Sequence, residues 1–457
     1  MRLELKNKRV LVLGLGETGL SALRWLHSHG ACLSVADTRE APPGLTAARA
    51  ELPEVEVHLG PFSRDVFEAA EIIVASPGVA LAESEVQAAI ARGVPVVGDV
   101  ELFAQYRPAH AKVIAITGAN GKSTVTSLVG EMCQQAGLQT VVAGNIGLPV
   151  LEALSMPAAD IYVLELSSFQ LETTSSLDAD AATVLNVSED HMDRYPGMAQ
   201  YAAAKARIFH GHGVQVLNRE DAWSRGMAIA GRRVVSFGTD QPPSHNDFGL
   251  HRMGSEVSLA QGETELLNVA AMKLAGLHNA ANALAALALC RAIGLPYEPL
   301  LAALRSFKGL PHRVEWVAEL SGVAFFDDSK GTNVGATCAA LAGLPQKVVL
   351  IAGGDGKGQD FSPLRLPVAQ NARAVVLIGR DGPQIGAALQ DAHVPLLQAR
   401  SMEEAVQLAY AAAQPGDAVL LSPACASFDM FRNYAHRAEV FVAAVHGLGE
   451  QKRTAAQ

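Results

Sequence analysis

Residues 112–124 read Lys112-Val113-Ile114-Ala115-Ile116-Thr117-Gly118-Ala119-Asn120-Gly121-Lys122-Ser123-Thr124, an apolar run that breaks into a glycine-rich turn closed by a lysine and two hydroxyls. An unbroken apolar run is what a strand covered on both faces requires. A glycine loop ending in Gly-Lys-Ser ahead of a helix is a phosphate cradle: its N–H groups hold the phosphates, the lysine neutralises charge, and the hydroxyl reaches Mg²⁺. The first glycine lies closer to Gly121 than in the usual P-loop spacing. An incidental glycine turn, however, gives no reason for Lys122. The expectation is ATP binding by Gly118, Ala119, Asn120, Gly121, Lys122, Ser123 and Thr124.

The same rhythm of β-branched run, glycine turn and Ala/Leu-rich stretch repeats along the chain, at Arg9–Leu13, Cys32–Ala36, Glu71–Ala75, Ile161–Glu165, Lys347–Ala352, Ala374–Ile378 and Ala418–Ser422. Strands alternating with helices predict an α/β fold with parallel sheets. Arg107-Pro108 and Lys308-Gly309 read as linkers, which predicts three domains: 1–107, 108–309 and 310–457. The polar stretch Thr239–Glu263 predicts a hairpin or surface excursion.

Composition narrows the function. The 457 residues carry 36 Lys+Arg against 46 Asp+Glu, a net charge of −10, and 49% are hydrophobic. That excludes disorder and a general nucleic-acid binder, which needs a positive footprint. The greasiest stretch, Ala280–Leu295, carries Arg291 and falls short of a membrane span. The run Val10–Leu13 stops at Gly14 with no cleavage site after it, unlike a signal peptide. Five scattered cysteines without a CxxC pair predict reduced, mostly buried thiols in a cytoplasmic protein.

Three further groups sit where chemistry is expected. Gly14-Leu15-Gly16-Glu17-Thr18-Gly19 follows a strand and opens a helix over Leu20–His29, a second anion site. Asp37 at the end of the next strand suits a ribose hydroxyl, while Arg39 suits a phosphate or uracil; a bare tight turn and NAD(P) both remain open. Glu165 at a strand end and His191 in Asn186-Val187-Ser188-Glu189-Asp190-His191 read as metal ligands, with carboxylate oxygen suited to Mg²⁺. Finally His312-Arg313, Asp327–Asn333, Gly353–Lys357 and Ser422–Ser427 each mix small residues with charge at a strand end, as ligand loops do. Lys205 by itself reads as a solvated helix lysine.

Taken in order, TGANGKST, ELSSFQLE, NVSEDHMDRYP, HNAANALAA, GLPHRVE, DDSKGTNVGAT and GGDGKGQDF resemble the motifs of the Mur ligases, the ATP-dependent amino-acid-adding enzymes of bacterial cell-wall precursor synthesis. The resemblance runs from GLGETGLS to SPACASFDMFRNY, and ASPG with DTR resembles the D-glutamate-adding branch. It implies a Rossmann-like UDP-sugar domain, a central P-loop ATPase domain and a Rossmann-like C-terminal domain for the amino acid. The implied substrates are UDP-N-acetylmuramoyl-L-alanine, D-glutamate and ATP, used by a monomer.

By the same resemblance Glu17, Thr18, Thr38, Arg39, Ser76, Gly78 and Asn145 hold the UDP-sugar. Asn279, Asn282, Arg313 and Asp328 join the P-loop on ATP. Thr332, Lys357, Ser427 and Tyr434 hold the amino acid, with Asp355 orienting Lys357. Ser123, Glu165, His191 and a carbamylated Lys205 hold two Mg²⁺ ions, and Lys122, His191, Lys205 and Lys330 are catalytic. Tyr434, Ala119 and Gly331 depart from the family's common choices. The rivals are a sister ligase with another amino acid, an NAD-dependent oxidoreductase, which leaves GANGKST unexplained, and an inactive binding module, against which intact Lys122, Glu165, His191 and Lys330 argue.

Overall fold

The computed structural model describes residues 2–254, 256–274 and 276–455. Three sheets organise them. The first comprises β1 (Arg9–Leu13), β2 (Cys32–Asp37), β3 (Glu56–Leu59), β4 (Ile72–Ala75) and β5 (Val96–Val97), in the order β3-β2-β1-β4-β5. All its pairs are parallel. The chain leaves β1 toward β2 and later returns to β4 on the other side. The carboxyl end of β1 is therefore a switch point, where a crevice opens.

Leu11, Leu13, Ile73 and Ala75 bury one face of this sheet against Phe67, Val86 and Ala89. The helix after β1 spans Glu17–Ser28, starting earlier than the expected Leu20. Gly16 takes the extended N-cap conformation, and the acidic Glu17 suits the positive helix start. The glycine loop is accordingly short, and its end is the helix N-terminus itself.

The second sheet comprises β6 (Lys112–Thr117), β7 (Thr140–Gly144), β8 (Ile161–Glu165), β9 (Ala181–Val184), β10 (Val214–Asn218), β11 (Val234–Phe237), β12 (Phe248–Met253), β13 (Glu256–Gln261) and β14 (Thr264–Asn268). Its order is β14-β13-β12-β11-β10-β9-β6-β8-β7. β6 lies between β8 and β9, both parallel to it, so the P-loop also leaves a switch point. The polar stretch is the β12–β13 antiparallel hairpin, as expected, with β14 added beyond it.

The third sheet comprises β15 (Glu315–Leu320), β16 (Val323–Asp327), β17 (Val348–Gly353), β18 (Ala372–Ile378), β19 (Leu396–Gln398) and β20 (Ala418–Leu421), in the order β15-β16-β20-β17-β18-β19. Only the β15–β16 pair is antiparallel. Along β17, Val348, Leu350 and Ala352 enter one core while Val349 and Ile351 enter the other. That two-sided burial is why the strand reads as continuous apolar sequence rather than as alternation.

By compactness the chain forms two units. One contains the chain through Val187, Ala199–Ala271 and Asn282–Ser306, and so the first two sheets; the other contains Ser188–Met198, Met272–Ala281 and the chain from Phe307 onward. Among the described residues no helix is long and apolar enough to cross a membrane. The five cysteines are free thiols; Cys133, Cys290 and Cys425 are buried, Cys338 is half-buried and Cys32 is exposed.

Candidate active site

The P-loop is shaped by two glycines with positive φ, Gly118 (+155°) and Gly121 (+84°). Gly121 is the N-cap of helix Lys122–Gln135, and a Cβ there would come within 2.6 Å of Asn282 Oδ1. Asn186, just past β9, pins the loop. Its carbonyl accepts the Ala119 N–H (2.9 Å), its Oδ1 accepts the Asn120 N–H (2.8 Å), and its Nδ2 donates to the Asn120 carbonyl (3.0 Å). The loop is thus held open toward the helix start, where N–H groups and dipole favour an anion.

Two ammonium groups meet at this loop. Lys122 Nζ donates to the Gly118 and Ala119 carbonyls, each at 2.9 Å, and Lys205 Nζ donates to the same Gly118 carbonyl at 2.9 Å. Lys205 is 2% exposed, with its ammonium 4.5 Å from the centroid of the Tyr201 ring. The reading of Lys205 as a solvated helix lysine is overturned: the helix Met198–Ala206 turns this position into the core. Concentrated positive charge of this kind suits a polyphosphate.

Glu165 ends β8 in register with Ile116, beside the P-loop strand. It is buried; Oε1 accepts from Asn145 Nδ2 (2.9 Å), while Oε2 is buried with no hydrogen-bond partner. A bare, desolvated carboxylate oxygen is costly unless something coordinates it. Ser123, also buried, begins the P-loop helix. The hydroxyl and the orphaned carboxylate oxygen are each hard-oxygen donors of the kind that fit Mg²⁺.

All seven residues expected to hold the UDP-sugar line one cleft of about 600 Å³ at the carboxyl edge of the first sheet. Gly14 and Gly16, Asp37–Arg39 and Ser76–Gly78 supply about half of its wall. Asp37 itself is internally committed. One oxygen accepts the Leu15 N–H (2.7 Å), and the other accepts the Arg39 N–H and Nε (2.9 Å each). Burial works against the Asp37 charge. The Arg39 side chain and the two backbone N–H groups outweigh that and hold its carboxyl down at about 2. Asp37 therefore fixes the guanidinium of Arg39 rather than standing open to a ribose.

Asn145, after β7, and Gln170, on helix Ser168–Glu172, line the same cleft. Gln170 was not expected from sequence. Its Oε1 accepts from the Ser167 N–H (3.1 Å), closing a capping box, and its side chain also bonds the buried Asp99. Burial pushes the Asp99 carboxyl up to about 6, with hydrogen bonds from Val100 and Gln170 opposing. The capping box was the available sequence signal: serine followed three residues later by glutamine.

The other unit carries the remaining expected residues. His191 sits at φ +59° with Nε2 3.6 Å from Asp190 Oδ2. Asp190, only a neighbour in the sequence reading, is an organiser here: it pairs with the Lys357 ammonium and accepts from Asn333 Nδ2 (3.3 Å). Asp355 orients Lys357 through its backbone, accepting the Lys357 N–H at 3.0 Å. The Asp355–Ala426 bridge joins that loop to the one carrying Ser427.

Asp328 is buried and accepts from Ser422 Oγ (2.7 Å); burial pushes its carboxyl up to about 7, with the Arg313 charge and the Ser422 bond opposing. Arg313 Nε is buried without a hydrogen-bond partner, a donor awaiting an acceptor. A Cβ on Gly331 would come within 2.5 Å of Asp328 Oδ2, so this departure makes room for that acid. Lys330 Nζ lies 5.4 Å from the centroid of the Tyr434 ring. Thr332 is half-buried beside Asn333, which caps helix Val334–Gly343. Asn279 lies in the opening turn of helix Leu277–Ala292.

Arg437 was also missed. It is 0% exposed and donates to Ser329 Oγ (3.0 Å), the Ser329 carbonyl (2.8 Å) and the Cys425 carbonyl (3.1 Å). Burial pulls its guanidinium down to about 10. It is one of the ties between the loops that carry Lys330 and Ser427, beside the Ala424 N–H on the Gly331 carbonyl. A lone arginine inside a helix gives no hint of this from sequence.

Three family descriptions match the chain: "Mur ligase MurD-like, N-terminal domain" at residues 8–98, "Mur ligase middle domain" at 116–290 and "Mur ligase, glutamate ligase domain" at 312–425. UDP-N-acetylmuramoylalanine–D-glutamate ligase of Methylobacillus flagellatus is 66% identical, covering 99% of this chain and 100% of its own. The protein of that name from Thiobacillus denitrificans is 59% identical over 98% of each. Among solved structures, a pseudomurein peptide ligase type C from Methanothermus fervidus aligns with a TM-score of 0.61 at 17% identity, covering 96% of this chain and 99% of that one. UDP-N-acetylmuramate-alanine ligase from Thermotoga maritima gives 0.59 at 19%, covering 96% and 100%. These structures share the fold.

Proposed function

The chain belongs to the Mur ligases, and from that premise we propose that it joins D-glutamate to the L-alanyl carboxylate of UDP-N-acetylmuramoyl-L-alanine, cleaving ATP to ADP and phosphate. The observation that carries this reading is Asn145. It lines the diphosphate-type cleft, and its amide bonds Glu165 beside the P-loop. An acceptor lying in that cleft would bring its far end to the nucleotide.

The chemistry follows from charge. A carboxylate is a poor acyl donor, so the γ-phosphoryl group of ATP is first transferred to it, giving an acyl phosphate and ADP. Lys122 neutralises charge on the triphosphate as the carboxylate approaches. The amine of D-glutamate then attacks the acyl carbon, and the tetrahedral intermediate expels phosphate and leaves the amide. Lys330 stabilises the charge developing at that centre. Thr332, Lys357, Ser427 and Tyr434 hold the two carboxylates of D-glutamate. Asn279, Asn282, Arg313 and Asp328 hold the nucleotide.

Two Mg²⁺ ions, when bound, screen the repulsion between carboxylate and triphosphate. Ser123, Glu165, His191 and Lys205 would hold them, the last as a carbamate, because a protonated amine offers no lone pair to a metal. In this reading residues 1–107 take the UDP-sugar, 108–309 ATP and 310–457 the amino acid, in a cytoplasmic monomer.

The test is ligation with purified protein. UDP-N-acetylmuramoyl-L-alanine, D-glutamate, ATP and Mg²⁺ should give the amide with one ADP and one phosphate per bond. Equal turnover with L-alanine or diaminopimelate in place of D-glutamate, or no amide at all, overturns the assignment.

A further inference from the structure

The cleft of the first sheet has one aromatic side chain among the described residues that line it, Phe62. Phe62 follows β3, at the sheet edge beyond Asp37–Arg39. Its ring is half-buried and set against Phe67, with centroids 5.4 Å apart and planes tilted by 59°. Phe67 is fully buried on the helix Arg64–Ala69. Phe62 thus has one side packed on the core and presents the rest to the cleft. Such a ring is ordered before any ligand arrives, so contact with it costs little further entropy.

The polarity of the cleft says what meets that ring. A diphosphate belongs at the N-terminus of helix Glu17–Ser28, where N–H groups and the dipole converge. On the proposed function, which this inference rests on, the reacting carboxylate lies toward Asn145 and Gln170, which with Gly144 are the cleft residues carried by the second sheet's elements. The substrate is linear, with the diphosphate between its sugar-peptide and its nucleoside. Once the peptide end is assigned to Asn145, the nucleoside must extend the other way, along β1, β2 and β3. That path passes Thr38 and Arg39, whose guanidinium Asp37 already fixes, and reaches Phe62.

We propose that Phe62 is the stacking platform for the pyrimidine base of the UDP-sugar and sets the affinity of the uridine end. A ring face binds any base, so Phe62 supplies affinity, and the polar groups around it supply base identity. It touches no reacting atom, so its loss falls on substrate binding rather than turnover.

The experiment compares wild type with F62A, F62L and F62W. UDP binding is measured by titration calorimetry. KM and kcat are measured with UDP-N-acetylmuramoyl-L-alanine and with 1-phospho-N-acetylmuramoyl-L-alanine, which lacks the uridylyl group. F62A should weaken UDP binding and raise KM for the full acceptor about tenfold or more, with kcat and KM for ATP nearly unchanged. F62L keeps apolar volume without a π-face and should also bind UDP weakly at wild-type Tm; F62W should bind like wild type. UDP affinity unchanged in F62A, F62L matching wild type, or an equal KM rise for the truncated acceptor overturns the proposal. Failure of wild type to ligate would instead strike the proposed function, and the UDP titration would still decide the role of Phe62.

Discussion

The two glycine loops after β1 and β6 are built alike and charged differently. Each leaves a parallel strand at a switch point and ends at a helix N-terminus. Around the first, the guanidinium is already paired: Asp37 and Arg39 are bonded to one another, and Asp37 also takes the Leu15 N–H. Around the second, positive charge is gathered. Lys122 and Lys205 share the Gly118 carbonyl, and Glu165 keeps a bare oxygen. The fold provides an anion seat in both places. On the proposed function the first loop holds its ligand, and the second, where positive charge is gathered, also acts on a bound phosphate.

The comparison breaks most sharply at Lys122. K122A should lower the ligation rate by about 10³-fold while UDP affinity stays at the wild-type value; a loss of both would mean that the loops do not divide the work. Next comes Lys205: K205A should lose about 10²-fold in rate, and added short-chain carboxylates should restore part of it. Full activity without rescue would remove the carbamate from the scheme.

D37N tests the first loop. With Arg39 released, KM for the UDP-sugar acceptor should rise about tenfold, with kcat held. Its stability profile has a defined sign. The Asp37 carboxyl sits at about 2 against an ordinary 3.8, so its contribution is present above about pH 4 and is lost as pH falls toward 2. D37N should therefore be less stable than wild type at pH 7, and urea melts of the two should converge near pH 2.

Asp328 gives the smallest effect and the opposite sign. Its carboxyl is raised from 3.8 to about 7, so the fold is favoured below about pH 4 and loses that stability as pH rises through 7. D328N, which cannot ionise, should lack this decline, and its Tm should overtake that of wild type between pH 6 and 8.

What the sequence disclosed was local. β1, β6 and β8 are short continuous apolar runs, and the glycine or acid at the end of each delimits them. The seven cleft residues were legible through the family resemblance of their motifs, and all seven line one cavity. What stayed hidden was made by distance in the chain. Lys205 is buried because a helix packs onto a loop 87 residues earlier. Asp190 meets Lys357 across 167 residues, and no spacing rule reaches so far. Phe62 lies in a polar turn whose neighbours, Pro61 and Ser63, announce nothing. Its place depends on which strand β2 pairs with on its far side.

The three hydrogen bonds of Arg437 also carry a timetable. Ser329 leaves the ribosome 108 residues ahead of Arg437, and Cys425 leaves 12 residues ahead. The loops beside Lys330 and Ser427 can therefore be joined first by the Ala424 N–H on the Gly331 carbonyl and by Ser422 Oγ on Asp328, and Arg437 adds its bonds last. The strands of the third sheet, all upstream of Arg437, have what they need to pair before then. Arg437 is thus the last of these ties to be synthesised, and a nascent chain stalled before residue 437 would lack its three bonds together with Phe441 and Val445 of the sheet's core.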